Sequence, residues 1–142
     1  MKPSIVPMVS YEDPAEMADW LARAFGFEEV MRLRDNAGAV NHVEMHHAGG
    51  VILLGTPGPA YRSPSSHRQA CALADEWLRT TYVVDGVLVR VHDVDVHYRG
   101  AVAAGATILS VPADSGPGRL YRVADPEGHR WMFIEERRED GH

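Results

Sequence analysis

One internal repeat constrains this chain more than anything else in its sequence. The segment Pro7-Met-Val-Ser-Tyr-Glu-Asp13 is a short apolar run ending on an acid. It leads into a stretch where Met17, Trp20, Leu21, Ala24 and Phe25 recur at the spacing of one helical stripe. Asp13 suits an N-cap, Pro14 the first helical position and Glu16 the returning acid of a capping box. Gly26 stands where a left-handed residue ends a helix. The same order returns about 80 positions later. Val87-Leu-Val-Arg-Val-His-Asp93 alternates and ends on Asp, an amphipathic segment follows, and Gly105 closes it. Strand, Asp cap, helix and Gly stop in one register predict two copies of one supersecondary unit.

Three strands are predicted after each helix. In the first copy they are Phe27–Leu33, Ala39–His46 and Val51–Leu54, joined through Asp35-Asn-Ala-Gly38 and Ala48-Gly-Gly50. In the second they are Thr107–Val111, Leu120–Ala124 and Arg130–Glu135, joined through Ala113–Gly118 and Asp125-Pro-Glu-Gly128. The division is a first βαβββ module over 1–55, a linker over 56–79, a second module over 80–138 and a charged tail over 139–142. A Pro/Gly loop opens the linker, and Ala70, Leu73, Ala74, Trp77 and Leu78 predict a short helix within His67–Leu78. Trp20, Trp77, Trp131, Phe25 and Phe133 are assigned to core stripes. The class is α+β.

Composition limits the partners. A net charge of −6, with 14 Lys and Arg that form no cluster, disfavours nucleic acid and anionic membrane surfaces. The longest uncharged stretch is too short to span a bilayer, and Met1-Lys-Pro-Ser4 lacks the apolar segment of a secretion signal. One cysteine forms no internal disulfide, so a cytoplasmic setting is expected. Nucleotide-binding and nucleophile-elbow motifs are missing.

The paired βαβββ order, Ala24-Phe-Gly-Phe-Glu28, Asp93-Val-Asp-Val-His-Tyr-Arg-Gly-Ala101 and the ending Asp125-Pro-Glu-Gly-His-Arg-Trp-Met-Phe-Ile-Glu135 resemble the vicinal-oxygen-chelate superfamily. That group spans glyoxalase, bleomycin-resistance and extradiol dioxygenase proteins. The resemblance covers roughly residues 4–136. It implies curved mixed sheets around a cavity, helices outside, and a homodimer. Its metal-dependent members carry one ligand on each of four strands, usually two His and two Glu. Counted from the Asp caps and the last turn, those places fall on Val6, Glu44, Gly86 and Met132, and only Glu44 has a suitable donor.

The residues themselves add a second candidate. In Asn41-His-Val-Glu-Met-His-His47, strand alternation puts His42, Glu44 and His46 on one face and Val43 and Met45 on the other. His-X-His on a strand is a zinc-ligand spacing, so a divalent metal on His42, Glu44 and His46 is the alternative to a polar pocket without cofactor. Arg90 and His92 share the parity of the fifth strand, and Arg90 is expected to face Glu44. Tyr121 and Arg122 point to opposite faces, and a regular hairpin puts Arg122 beside Met132. His129 reads as a solvated turn residue. Cys71 lies one helical turn from His67, which would favour a reactive thiol, although a plain buried Cys is the simpler reading.

Together these place a small organic ligand on Met8, His42, Glu44, His46, Leu88, Arg90, His92, Met132 and Ile134, with apolar walls and a few polar groups. The expected function is ligand or drug sequestration without the usual metal set. The alternatives are a metal-dependent lyase or dioxygenase using Glu44 with His42 or His46, and a metal-free enzyme with Glu44 as catalytic base.

Overall fold

The computed structural model describes residues 2–137, so the tail over 139–142 lies outside the described residues. The first module is β1 (Met8–Ser10), α1 (Pro14–Phe25), β2 (Glu28–Arg34), β3 (Val40–His47) and β4 (Gly50–Gly55). The linker carries α2 (Pro64–Ala70) and α3 (Ala72–Trp77). The second module is β5 (Val87–Arg90), α4 (Val94–Ala103), β6 (Thr107–Asp114), β7 (Gly118–Ala124) and β8 (Arg130–Glu136). Each module forms one mixed sheet in the same order, β1-β4-β3-β2 and β5-β8-β7-β6. In both, the strand before the helix pairs in parallel with the last strand.

The local signals behave as their chemistry requires. The Asp13 carboxylate accepts the Glu16 N–H at 3.0 Å, and Asp93 accepts the Val96 N–H at 3.1 Å. Gly26 adopts φ 79°, a left-handed conformation that suits glycine. The capping-box expectation at Glu16 is corrected by a distant group. Glu127, in the turn before β8, accepts the Asp13 N–H at 3.0 Å and the Glu12 N–H at 2.6 Å.

The modules share one core. The inward faces of both sheets, through Val43, Met45, Leu54, Tyr121, Val123 and Phe133, pack with α1 and α4 in a single cluster. Phe25 of α1 makes edge contacts with Trp131 and Phe133 of β8, with ring centroids 5.7 and 4.7 Å apart. Buried Asp125 joins the modules as well. It accepts the Tyr11 hydroxyl at 2.6 Å, the Trp131 indole N–H at 3.1 Å and two backbone N–H groups. His129 is not a solvated turn residue, because its Nε2 donates to the Ser10 carbonyl at 2.6 Å.

The linker departs most from expectation. The single helix is two, broken at Cys71, whose φ of −145° and ψ of 113° are extended. The break releases Leu73 and Trp77 from the core, and Trp77 is 62% exposed. No helical turn holds Cys71 over His67. Strand β6 runs three residues past Val111, and β5 stops at Arg90. Among the described residues, no helix is long and apolar enough to cross a membrane.

Candidate functional site

The faces of the two sheets that turn away from the shared core carry the polar side chains. Register fixes what stands beside what. In the first sheet, Met8 pairs with Leu53, Leu53 with Glu44, and Glu44 with Met31, forming one row across four strands. His42 lies one row away, opposite Gly55 and Leu33, and His46 one row the other way, opposite Val51 and Glu28. Alternation therefore brings Met8, His42, Glu44 and His46 to one face, with Val43 and Met45 fully buried behind them. His46 Nε2 lies 2.6 Å from Glu44 Oε2, and both side chains stay about one-third exposed at 38% and 30%.

The second sheet repeats the row. Leu88 pairs with Met132, Met132 with Arg122, and Arg122 with Ser110. Arg90, Ile134 and Leu120 form the next row. Leu88, Arg90, Met132 and Ile134 thus share a face, and Arg122 faces the same way. The matching register bears on one of the four places counted from the caps, because the first-sheet equivalent of Met132 is Leu53 rather than Glu44. Met8 and Leu88 each precede an Asp cap by the same number of residues, and their partners are Leu53 and Met132. Met8, Leu53, Leu88 and Met132 therefore form one symmetric set across the two sheets. Glu44 and Arg122 are equivalent to each other on the third strands.

Two assignments change. Arg90 does not meet Glu44, because its Nε holds the Glu136 carboxylate at 2.6 Å while Glu44 holds His46. The reason is proximity, since Glu136 ends the strand beside β5. His92 lies past the end of β5, beside Asp93, Asp95 and Glu135, so strand parity does not align it with Arg90. Among the described residues, no three His, Cys, Asp or Glu side chains converge as metal ligands, and the His46–Glu44 contact takes up part of the His42–Glu44–His46 set.

Between the modules a groove of about 350 Å³ runs past His46, His47, Val51, Leu88 and Arg90. His47 closes its floor, with Nε2 donating to the Arg90 carbonyl at 3.1 Å. The faces beside the groove are open. Met8 is 81% and Leu88 46% exposed, and Met31 and Leu33 are exposed with them.

Sequence reading missed the groups around Arg122. Tyr82, ahead of β5, takes a left-handed φ of 58° and lays its ring against Gly86, where a Cβ would collide with it. Its hydroxyl is buried without a hydrogen-bond partner, as are Ser110 Oγ and Arg130 Nε. Burial pushes the Tyr82 hydroxyl up to about 12, against the charges of Arg122 and Arg130. The one available signal was the bare Gly86 before a strand.

Comparison with known proteins gives the same architecture. The family model described as Glyoxalase/Bleomycin resistance protein/Dioxygenase superfamily matches residues 6–133. The uncharacterized protein Mb0911c of Mycobacterium bovis is 28% identical over 144 residues, covering 98% of this chain and 87% of that protein. The crystal structure of TioX from Micromonospora sp. ML1 superposes with a TM-score of 0.70 at 31% identity, covering 95% of this chain and 99% of TioX. The bleomycin-binding protein of Streptomyces verticillus, solved with copper(II)-bleomycin, has a TM-score of 0.61 at 15% identity, covering 96% and 98%.

Proposed function

Because the chain belongs to the Glyoxalase/Bleomycin resistance protein/Dioxygenase superfamily, we propose that it binds a small organic ligand on the polar outward faces of its sheets, without a metal centre. The observation that carries this is the central row of each sheet. The symmetric positions Met8, Leu53, Leu88 and Met132 offer two thioethers and two alkyl groups, which do not fit a hard divalent ion. The same four residues suit an irregular apolar ligand, and methionine adapts its shape to one. Glu44, His46 and Arg122 supply orienting polar groups at the edges of that apolar strip. The antibiotic held by the bleomycin-binding neighbour favours sequestration over turnover.

A second copy of the chain completes this site in our reading. The Glu44 wall and the Arg122 wall face outward from one chain, and exposed Met8 and Leu88 lie at their centres. Walls of opposite charge at equivalent positions favour the first sheet of one copy meeting the second sheet of the other. The module boundaries at residues 55 and 80 are kept in this proposal as the units that meet.

A second reading rests on the 2.6 Å contact between Glu44 and His46. A half-buried carboxylate oriented by an imidazole can take a proton from a carbon acid, which is metal-free acid/base chemistry with Glu44 as base. One experiment separates the two. The EDTA-dialysed chain is titrated calorimetrically with metal-free bleomycin and a panel of apolar antibiotics, and each mixture is then examined by mass spectrometry. Saturable heat with unaltered ligand is expected. Ligand conversion abolished by Glu44→Gln would establish the enzyme instead. Binding that appears only after a stoichiometric metal is returned would overturn both.

A further inference from the structure

The second wall carries a group of hydrogen-bond donors with nothing to donate to. Arg122 and Ser110 are directly paired across β7 and β6. Arg130 stands diagonally from Arg122 across the β7–β8 ladder, since Arg122 pairs with Met132 and Ala124 with Arg130. Diagonal neighbours on one face are within reach of long side chains. Tyr82 reaches the same place from the loop ahead of β5, its ring seated over Gly86. Among the described residues, Arg122 makes no hydrogen bond or ion pair with another side chain. Ser110 Oγ, Tyr82 Oη and Arg130 Nε are buried and unpartnered.

Each of these is costly to leave so. A buried donor without an acceptor loses its hydration and recovers nothing. Arg130 is 6% exposed, and its other guanidinium nitrogens are held by the Leu78 and Thr80 carbonyls. The group is therefore fixed in place, with Nε left over. Arg68, itself paired with Asp75, adds a positive charge near Arg130, and Asp85 a negative one. Tyr82 is also held in a left-handed backbone conformation, which is strained for a residue with a side chain. Strain, burial and unmet donors coincide on one spot of the outward face. All of them ask for the same thing, an acceptor bearing negative charge.

We propose that Arg122, Ser110, Tyr82 and Arg130 form a subsite for an anionic oxygen group, a carboxylate or phosphate, of the ligand that occupies the second wall. The proposal rests on the small-molecule reading above and adds the ligand's chemical class to it. The ligand is amphiphilic, with an apolar body along Leu88 and Met132 and an oxyanion at Arg122. A guanidinium donates two parallel N–H bonds to a planar carboxylate, and the two hydroxyls donate to its remaining lone pairs.

The test uses the full chain and three probes at constant ionic strength. Benzoate carries the anion on an aromatic body, benzamide is its neutral counterpart, and inorganic phosphate is the anion alone. Binding is followed by thermal shift and by NMR titration in the wild type, Arg122→Met, Ser110→Ala and Tyr82→Phe. Benzoate is expected to bind at least about tenfold more tightly than benzamide, and phosphate to raise the melting temperature. Arg122→Met should remove the preference for benzoate and leave benzamide unchanged. Tyr82→Phe keeps the ring over Gly86 and deletes only the hydroxyl. It should melt higher than the wild type without ligand, and bind benzoate several-fold more weakly.

That opposite movement of stability and binding is what a structural role would not produce. A Tyr82→Phe chain that melts lower and binds benzoate unchanged overturns the subsite. Benzamide and benzoate binding equally, in the wild type and in Arg122→Met alike, overturns the subsite and leaves the apolar ligand reading intact. No binding of any probe, together with no heat from the antibiotic panel, overturns both.

Discussion

Asp125 shows how much one side chain can hold in this chain. Four donors converge on its two oxygens, one from β1's flank, one from β8 and two from its own turn. Burial raises its pKa, while those donors act in the other direction. Asp125→Asn keeps the size but presents an NH₂ to donors on one side. It should lower the unfolding free energy by about 2–4 kcal/mol, measured by urea denaturation. His97 is the second joint. Its Nε2 donates to the Phe25 carbonyl at 2.9 Å, so in the neutral ring Nδ1 accepts the Tyr121 hydroxyl at 2.7 Å. Burial lowers its pKa below the ordinary 6.5. The unfolded chain therefore takes up the proton first, and stability contributed by neutral His97 is lost as pH falls through and below 6.5. Urea midpoints between pH 8 and 5 should fall more steeply in the wild type than in His97→Gln.

At the scale of elements, α2, which buries no side chain of its own, is fastened by Glu12. Its carboxylate accepts the Ser63 hydroxyl at 2.6 Å, the Ser66 hydroxyl at 2.6 Å and the Ser63 N–H at 3.1 Å. These bonds, the Ser63 and Ser66 hydroxyls first, lower its pKa to about 2 from 4.5. Its contribution is present above pH 4.5 and lost as pH falls toward 2. Glu12→Gln should melt below the wild type at pH 7 and converge with it near pH 2, by circular dichroism. Such a tie explains what the sequence could and could not reveal. The Asp13 and Asp93 caps act within one turn, so the repeat made both helices legible. The parity of Arg122 and of His42, Glu44 and His46 was legible because strand alternation is local. Glu127 capping Asp13 joins residues 114 positions apart, and no pattern announces it. Trp77 fits a helical stripe, yet the extended Cys71 rotates it outward without any Gly or Pro to warn of the break. The placement of Tyr82 over Gly86 depends on the loop between α3 and β5, which carries no periodic pattern.

For the whole molecule, the outward position of both polar walls is the fact with the widest consequence. The shared core leaves Met8 and Leu88 exposed on those walls, while Leu78, Thr80 and Tyr82 cover the Arg130 end of the second. Sedimentation equilibrium should therefore give twice the 15.7 kDa of one chain, and Leu88→Lys should shift the protein toward monomer. The most direct test mixes two blocked variants. Leu53→Lys places a charge at the centre of the first wall and Met132→Lys at the centre of the second, and each variant alone should lose binding of the antibiotic that titrates the wild type. A site made of the first sheet of one copy and the second sheet of the other leaves one unblocked site in each mixed dimer. Equal mixing and re-equilibration should then restore binding to about a quarter of the wild-type sites. A mixture that binds no more than its two components would contradict a site shared between copies.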